Sequence, residues 1–148
     1  MSTHSATIDW KRTTPDFAPQ SYVRDHVWTF GTGSALAASA AVDYRGNPKL
    51  PNPEEALVGA LSSCHMLTFL AFCAKKKLVV DAYQDRAVGQ LEKRADGKLA
   101  VTRVTLQPKV TFAAGTNVDA AELRSLHDAA HENCFIANSV KTAVTVEA

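Results

Sequence analysis

Three cysteines and two histidines are the residues of this sequence whose types and spacing could support chemistry. Cys64 and Cys73 lie nine residues apart in one apolar stretch, and Cys134 lies 70 residues beyond Cys64. His127 and His131 are four residues apart, so on a helix they would share one face. A thiolate can attack a peroxide oxygen, whereas imidazoles together with a thiolate can bind zinc or copper. Thiol redox chemistry and metal binding are therefore the two chemistries to compare.

Helix geometry decides which of the thiols could meet. At about 100° per residue Cys64 and Cys73 point in opposite directions, roughly 13 Å apart along the axis, so one intact helix cannot join them by a disulfide. Cys73 lies within the apolar segment FLAFCA, which favours the usual role of a free cysteine as a small buried hydrophobe. Cys64 follows Ser62 and Ser63 and precedes His65. This more polar setting favours a functional thiol at Cys64.

A metal site would use His127, His131 and Cys134, with Cys64 or His65 as a fourth ligand. The HxxxHxxC pattern lacks the paired CxxC motifs of strong zinc signatures, and two histidines at this spacing are common. Metal binding is therefore the weaker interpretation. From its neighbours alone, Cys134 is equally compatible with a buried and a redox-active role.

Length, composition and charge bound the class of protein. The chain has 148 residues, of which 46% are hydrophobic and 21% charged, with a formal net charge of +1. These values predict a single domain over residues 1–148 and give no reason to expect a nucleic-acid partner. The odd number of cysteines, an N-terminus without an apolar signal segment and apolar runs interrupted by polar residues predict a cytoplasmic protein without a membrane partner. Neither a G-x-S-x-G motif nor a phosphate-binding loop occurs, which argues against hydrolase and nucleotide-dependent functions.

The elements that must position these residues follow an α+β order. Asn52 and Pro53 mark the start of a helix of about 22 residues that is apolar nearly all round, so we expect it to be buried on more than one side. Helices should cover one face of a mainly antiparallel sheet. The predicted elements are strands at about 6–12, 26–30 and 34–42 with a turn at 31–33, the long helix from 53 to about 75, strands at 87–93 and 99–112 (the second bent) around a turn at 96–97, a second helix from about 119, and a final strand over 142–148.

Two segments, NPEEALVGALSSCHML around Cys64 and HENCFIANSVK around Cys134, resemble the two cysteine segments of the OsmC/Ohr family of thiol-dependent peroxidases. They have in common an N-P-E motif, a helix, a cysteine ten residues after the glutamate and a second cysteine, here 70 residues further. SSCHML and YVRDHVW are closer to the OsmC-like branch of that family. The resemblance implies an OsmC-like fold with a long central helix and a second C-terminal helix, in an intertwined homodimer.

Carried over position by position, the resemblance implies that Cys64 is the peroxidatic thiol, Cys134 the resolving thiol and Glu54 the active-site acid. It also implies an arginine, for which Arg24 in YVRDH is preferred to Arg45 in DYRGN. In the implied cycle a hydroperoxide oxidises Cys64 to a sulfenic acid, which condenses with Cys134 to a disulfide. An external dithiol, of the lipoyl type in better understood relatives, reduces that bridge. No metal or organic cofactor is implied.

Thiol chemistry gives an independent reason for the cluster. A free thiol with a pKa of about 8.5 is only a few per cent ionised at neutral pH, and the middle of a helix gains little from its dipole. A guanidinium held by Glu54 would stabilise a Cys64 thiolate. Glu54 and Cys64 are roughly 15 Å apart along one helix, so we expect two helices to cross antiparallel near Gly59 and Ala60 and to bring the partner's Glu54 to Cys64.

The sequence therefore predicts a peroxidase that reduces organic hydroperoxides in preference to hydrogen peroxide, in oxidative-stress defence. The apolar residues Met66, Leu67, Phe69 and Phe135 near the thiols in sequence favour an organic substrate. Two roles stay open for His65: a polar group of the active site, or a residue packed at an interface. The alternatives are a ligand-binding protein of the same fold with inert thiols, and the metal-binding protein described above.

Overall fold

The structure, a computed structural model, describes residues 1–148 and has the predicted α+β composition. The chain divides into two compact units, residues 1–56 and 57–148, whereas a single domain over 1–148 stays a prediction. The helices and strands are β1 (Ala6–Asp9), β2 (His26–Phe30), β3 (Ala35–Ala38), α1 (Pro53–Lys75), β4 (Val80–Asp85), β5 (Val88–Lys93), β6 (Leu99–Leu106), β7 (Pro108–Phe112), α2 (Ala120–Glu132) and β8 (Ala143–Val146), with short 3-10 turns at Val42–Tyr44 and Ala137–Ser139.

The first unit contains an antiparallel sheet in the order β1, β2, β3. The predicted turn between β2 and β3 is confirmed: the Phe30 N–H donates to the Ser34 carbonyl at 2.8 Å, and Gly33 has a φ of 89°, a conformation that glycine adopts without strain. Strand β3 is shorter than predicted because the N–H of Ser39 donates to the carbonyl of Pro51 at 2.9 Å. That bond takes the chain out of the β2–β3 ladder.

Helix α1 begins as the sequence predicts. The Asn52 side chain accepts from the Glu55 N–H at 2.9 Å, and the Asn52 N–H donates to the Glu55 carboxylate at 3.2 Å. This reciprocal capping box satisfies two backbone donors at the helix start. Pro53 occupies the first helical position, and the helix continues for 23 residues to Lys75.

Burial along α1 differs from the prediction. Only one stripe is fully buried, and it consists of Leu61, His65, Phe69 and Cys73. The opposite face, which includes Gly59, Ser63, Leu67 and Ala71, is exposed. Burial on more than one side is therefore wrong for the single chain, because strands and α2 pack against only one side of the helix.

The composition of α1 also corrects the hydropathy analysis. Its most apolar window has a mean hydropathy of 1.7, and by length and composition the helix could cross a membrane. The expectation that the apolar runs are too interrupted by polar residues to span a membrane is wrong on those two criteria. Core helices of soluble proteins meet the same criteria.

The second unit contains two sheets. Strand β4, which the sequence analysis did not predict, pairs antiparallel with β7, while β5, β6 and β8 form a sheet in which β8 runs parallel to β6. The predicted turn between β5 and β6 is confirmed, with Gly97 at a φ of 81°. The segment 99–112 is two strands in different sheets rather than one bent strand. The break falls at Gln107, whose N–H donates to the Asp85 carboxylate at 2.6 Å, and the following Pro108 has no N–H for a ladder.

Two apolar clusters hold α1 within the second unit. One joins α1 to α2 through Phe69, Cys73, Leu126 and Ala130. The other joins α1 to β6 through Leu61, Val104 and Leu106. The predicted start of α2 is confirmed by its N-cap, the Asp119 side chain, which accepts from the Glu122 N–H at 2.8 Å. These contacts fix the two elements that lead to Cys64 and Cys134.

Candidate active site

Two of the three thiols meet in the second unit. Cys64 lies in the middle of α1 and is partly exposed, while Cys134 follows α2 by two residues and is 1% exposed. Their side chains are close enough for Cys64 to raise the pKa of the Cys134 thiol. The fold therefore brings together the two cysteines that the sequence places 70 residues apart.

Cys73 has the predicted core position. It is 1% exposed and packs with Phe69, Leu126 and Ala130. Burial raises the pKa of the Cys73 thiol, and the Glu122 carboxylate raises it further. A protonated, shielded thiol is a poor nucleophile.

The surroundings of Cys134 affect its ionisation in two directions. Burial raises the pKa of the Cys134 thiol, and the neighbouring Cys64 side chain raises it further. Backbone N–H groups oppose this effect: Ala137 donates to the Cys134 sulfur at 3.5 Å, and Ile136 also lowers the pKa. Cys134 is therefore a thiol at neutral pH, with backbone donors in place for the thiolate.

Exposure distinguishes the apolar residues near the thiols. Phe69 is fully buried, and its ring stacks on His127 with 4.3 Å between centroids, so it belongs to the core. Leu67 is 61% exposed and Phe135 80% exposed. Of the residues that favoured an organic substrate, these two are accessible in the single chain.

Arg24 and Glu54 belong to the first unit and line the same cavity of about 250 Å³, together with His26, Ser39 and Tyr44. The Arg24 guanidinium donates to the carbonyls of Tyr22 at 2.5 Å and Pro19 at 2.7 Å. Its central carbon lies 3.7 Å from the centroid of the Tyr22 ring.

Arg45, the second arginine considered, is placed differently. It is exposed, follows the 3-10 turn with a φ of 64°, and does not line the cavity of Arg24 and Glu54. Glu54 forms no salt bridge within the chain. Within residues 1–56, then, the cavity groups Arg24, and not Arg45, with Glu54.

His26 is a residue of this cavity that the sequence analysis missed. Its Nε2 accepts from the Trp28 indole N–H at 2.9 Å, so its Nδ1 carries the proton and donates to the Arg24 carbonyl at 2.8 Å. His26 thereby fixes the backbone of Arg24. It lies within the YVRDHVW segment, which is the signal that could have identified it.

His65 and His127 form a buried pair. They are 1% and 2% exposed, and His65 Nε2 lies 3.0 Å from His127 Nδ1. Burial lowers the pKa of His65 to about 4, with further lowering by His127 and His131, and burial also lowers the pKa of His127. Both imidazoles are therefore neutral at pH 7, and His65 contacts the core rather than solvent.

The ligand set of the metal alternative does not come together. No group of three or more His, Cys, Asp or Glu side chains in the structure could hold a metal ion. His127 instead contacts His65, while Cys134 lies near Cys64.

The sequence profile of one protein family matches most of the chain. It is described as OsmC-like protein and covers residues 46–148. The chain belongs to the OsmC-like protein family. The match includes Glu54, Cys64 and Cys134, and it confirms the resemblance identified from the two cysteine segments.

Solved structures with the OsmC-like fold include a protein of high similarity. An OsmC-like protein of unknown function from Vibrio cholerae is 46% identical, with a TM-score of 0.95 and 99% of both chains covered. An organic hydroperoxide resistance protein from Legionella pneumophila is 16% identical, with a TM-score of 0.73 over 99% of this chain and 95% of that chain. The organic hydroperoxide resistance protein OhrB of Bacillus subtilis is 17% identical, with a TM-score of 0.70 over 99% and 97%. Comparison with curated proteins gives no match.

Proposed function

We propose that this OsmC-like protein is a thiol-dependent peroxidase that reduces organic hydroperoxides in oxidative-stress defence. The observation that carries the proposal is the proximity of the Cys64 and Cys134 side chains. A partly exposed Cys64 beside a fully buried Cys134 is the arrangement that a peroxidatic and a resolving thiol require, because the oxidant must reach only the first. Organic hydroperoxide resistance proteins among the structures of the same fold support the proposal.

The first chemical step oxidises Cys64. Its thiolate attacks the distal oxygen of the hydroperoxide, so that an S–O bond forms and the O–O bond breaks. The released alkoxide takes up a proton and leaves as an alcohol. Cys64 is then a sulfenic acid.

The second step forms the disulfide. The Cys134 sulfur attacks the Cys64 sulfur, an S–S bond forms and the S–O bond breaks. The hydroxide leaves with the thiol proton of Cys134 as water. An external dithiol, of the lipoyl type that the resemblance implies, then reduces the disulfide by thiol–disulfide exchange.

Arg24 is the arginine that we assign to thiolate activation. It lines one cavity with Glu54, the carboxylate that the resemblance pairs with it, whereas Arg45 does not. Two of its N–H groups are held by the carbonyls of Pro19 and Tyr22, which restricts the side chain. A restricted guanidinium loses less entropy when it binds an anion.

A homodimer is part of the proposal. The exposed face of α1 carries small residues at Gly59, Ser63 and Ala71, with Leu67 between them. A Cβ atom at Gly59 would meet nothing within 4 Å in the single chain, so a second helix could approach closely there. An antiparallel crossing at that point would bring the partner's Glu54 to Cys64, as the spacing of the two residues suggests.

The substrate class follows from the surface beside the thiols. Phe135 adjoins Cys134 in the chain and is exposed, whereas Leu67, one helical turn beyond Cys64, belongs to the proposed helix crossing. Apolar side chains next to the attacked oxygen favour an alkyl or aryl hydroperoxide over hydrogen peroxide.

The test is peroxide consumption by cysteine variants, with cumene hydroperoxide and dithiothreitol as the external dithiol. Cys64→Ser should consume at least about 100-fold less peroxide than the unaltered protein, because the nucleophile is lost. Cys73→Ala is the matched control and should retain the rate, since Cys73 is core. Equal consumption by Cys64→Ser and the unaltered protein would overturn the proposal.

A second candidate function is binding of an apolar ligand by a protein with inert thiols. It is favoured by an apolar cavity of about 320 Å³ in the first unit, lined by the aromatic rings of Trp10, Phe17 and Tyr22. This candidate requires Cys64 and Cys134 to stay reduced under peroxide. Detection of a peroxide-induced bridge between them would exclude it.

A further inference from the structure

A single side-chain hydrogen bond, between His65 and His127, joins α1 to α2. Nε2 of His65 and Nδ1 of His127 are 3.0 Å apart, and the rings are nearly parallel, at 9° with 5.3 Å between centroids. The apolar cluster of Phe69, Cys73, Leu126 and Ala130 also joins the two helices. A buried polar pair thus lies beside an apolar cluster in the helix interface.

The position of the pair relates it to the two thiols. His65 directly follows Cys64 on α1, and His127 lies seven residues before Cys134. Cys134 is tied to the last turn of α2, because its N–H donates to the His131 carbonyl at 3.3 Å. The Asn133 side chain donates to the carbonyl of Ala129 at 2.9 Å and closes the helix end. A rotation of α2 therefore moves Cys134 with it.

Apolar packing alone does not prevent such a rotation of α2. Hydrophobic contacts tolerate repacking, whereas a hydrogen bond requires its donor and acceptor to be aligned. At a helix radius of about 6 Å with side chains, a rotation of about 10° displaces a side chain by about 1 Å. Disulfide formation requires the two sulfur atoms to be placed more accurately than about 1 Å.

His127 depends on His65 for its hydrogen bonding. The other ring nitrogen of His127, Nε2, is buried and has no partner. Phe69 stacks on the same ring at 22° and supplies no hydrogen bond. Loss of the His65 contact would leave the imidazole with no partner at all, which is costly in a buried site. The hydrogen bond consequently holds α2 at one rotation relative to α1.

We infer that His65 and His127 are a positioning pair that holds Cys134 against Cys64 for disulfide formation. Neither histidine is hydrogen-bonded to a reacting sulfur, and their effect is exerted through the placement of α2. The catalytic use of the disulfide rests on the proposed function. The positioning of Cys134 by the histidine pair does not depend on it.

The experiment is the equilibrium of the Cys64–Cys134 disulfide with glutathione. Two thiols on the protein and glutathione disulfide exchange to a protein disulfide and two glutathione molecules, and the equilibrium ratio gives the effective concentration of the thiol pair. His127→Leu removes the hydrogen bond and should lower the effective concentration about tenfold or more. His127→Asn places an amide near the position of Nδ1 and should restore it to within about twofold.

Leu126→Ala is the matched control, because Leu126 is buried in the same interface without a polar atom. It should lower stability yet change the effective concentration by less than about twofold. A fall in Leu126→Ala as large as in His127→Leu would overturn the inference, since general loosening would then explain both. So would an unchanged value in His127→Leu.

A reciprocal pair of variants covers the case in which His127→Leu does not fold. His65→Gln keeps an amide near the position of Nε2 and should match the unaltered protein, whereas His65→Met should show the tenfold fall. Equal values for the two variants would overturn the inference. The glutathione measurement contains no peroxide, so a protein that fails to react with cumene hydroperoxide but shows the His-dependent equilibrium contradicts the proposed function alone.

Discussion

At the scale of single residues, burial separates the roles of the two paired thiols. Cys64 is accessible, while Cys134 is shielded and its pKa is raised by burial and by Cys64. The backbone donors of Ala137 and Ile136 act against that rise. The proposed resolving thiol is therefore protonated at rest and must lose its proton before or during attack.

The rate of disulfide formation should increase with pH for this reason. With Cys134 largely protonated at neutral pH, the thiolate fraction rises about tenfold for each pH unit below its pKa. Stopped-flow measurement of the second oxidation phase, after one equivalent of cumene hydroperoxide, should show such a rise between pH 6 and 8. A second phase with the same rate at both pH values would show that deprotonation of Cys134 does not limit the step.

The two arginines should differ in their effect on the first oxidation phase. Arg24→Ala should slow the oxidation of Cys64 about 100-fold, because the charge-assisted hydrogen bond that we propose for the thiolate would be lost. Arg45→Ala should leave the rate within about twofold, since Arg45 lies outside the cavity of Glu54. The reverse order of effects in pre-steady-state kinetics would transfer the role to Arg45.

The sequence indicated the cysteines of the candidate site but not the contacts that hold them in place. The cysteine segments indicated Cys64 and Cys134, and the fold places the two side chains near each other, while their redox roles stay a prediction. The YVRDHVW segment could have identified His26, whose partners Arg24 and Trp28 lie two residues away. The His65–His127 pair could not be derived from spacing, because the two residues come from different helices. A histidine followed by a hydrogen-bonded partner 62 residues away leaves no local pattern.

At the scale of elements, the buried histidine pair makes the α1–α2 interface sensitive to acid. The folded-state pKa of His65 is about 4, lowered by burial and by His127 and His131, while Asp85 opposes the effect. An unfolded histidine has a pKa of about 6.5, so the unfolded chain binds more protons below that value. The stability contribution is complete above pH 6.5 and is lost as the pH falls towards 4.

Acid should therefore lower the free energy of unfolding by about 2 kcal/mol between pH 7 and pH 5 through His65 alone. The measurement is urea unfolding at constant protein concentration for the unaltered protein and His65→Gln. The variant lacks this titrating group and should lose less stability over the same interval. Equal losses in both proteins would assign the acid sensitivity to other groups.

Element prediction succeeded where local signals are strong. The start of α1 at Asn52 and Pro53, the start of α2 near Asp119 and the turn at Gly97 all have the predicted place. The division of 99–112 into two strands was missed because it depends on Asp85, a distant residue that accepts from the Gln107 N–H. Strand β4 was missed for a similar reason: it is stabilised by pairing with β7.

At the scale of the whole molecule, the proposed homodimer explains why an apolar helix has an exposed face. The exposed residues of α1 include Gly59 and Leu67, and Leu67 is 61% exposed in the single chain. A partner helix would remove that apolar surface from water, which stabilises association. It would also supply the partner's Glu54 to Cys64.

Light scattering should give a mass of about 32 kDa, twice the chain mass of 15.9 kDa. Leu67→Glu should give a monomer and reduce peroxidase activity, because a charge at the helix crossing loses hydration. Val79→Glu is the control, since Val79 is 55% exposed and outside α1. A monomer of the unaltered protein at micromolar concentration would remove the dimer from the proposal.

The most direct test of the peroxidase proposal is non-reducing peptide mapping after one equivalent of cumene hydroperoxide and alkylation of the remaining thiols. We expect one cross-linked peptide pair that joins Cys64 to Cys134, with Cys73 recovered as the alkylated thiol. Recovery of Cys64 and Cys134 as alkylated thiols, or a bridge that involves Cys73, would contradict the proposed mechanism.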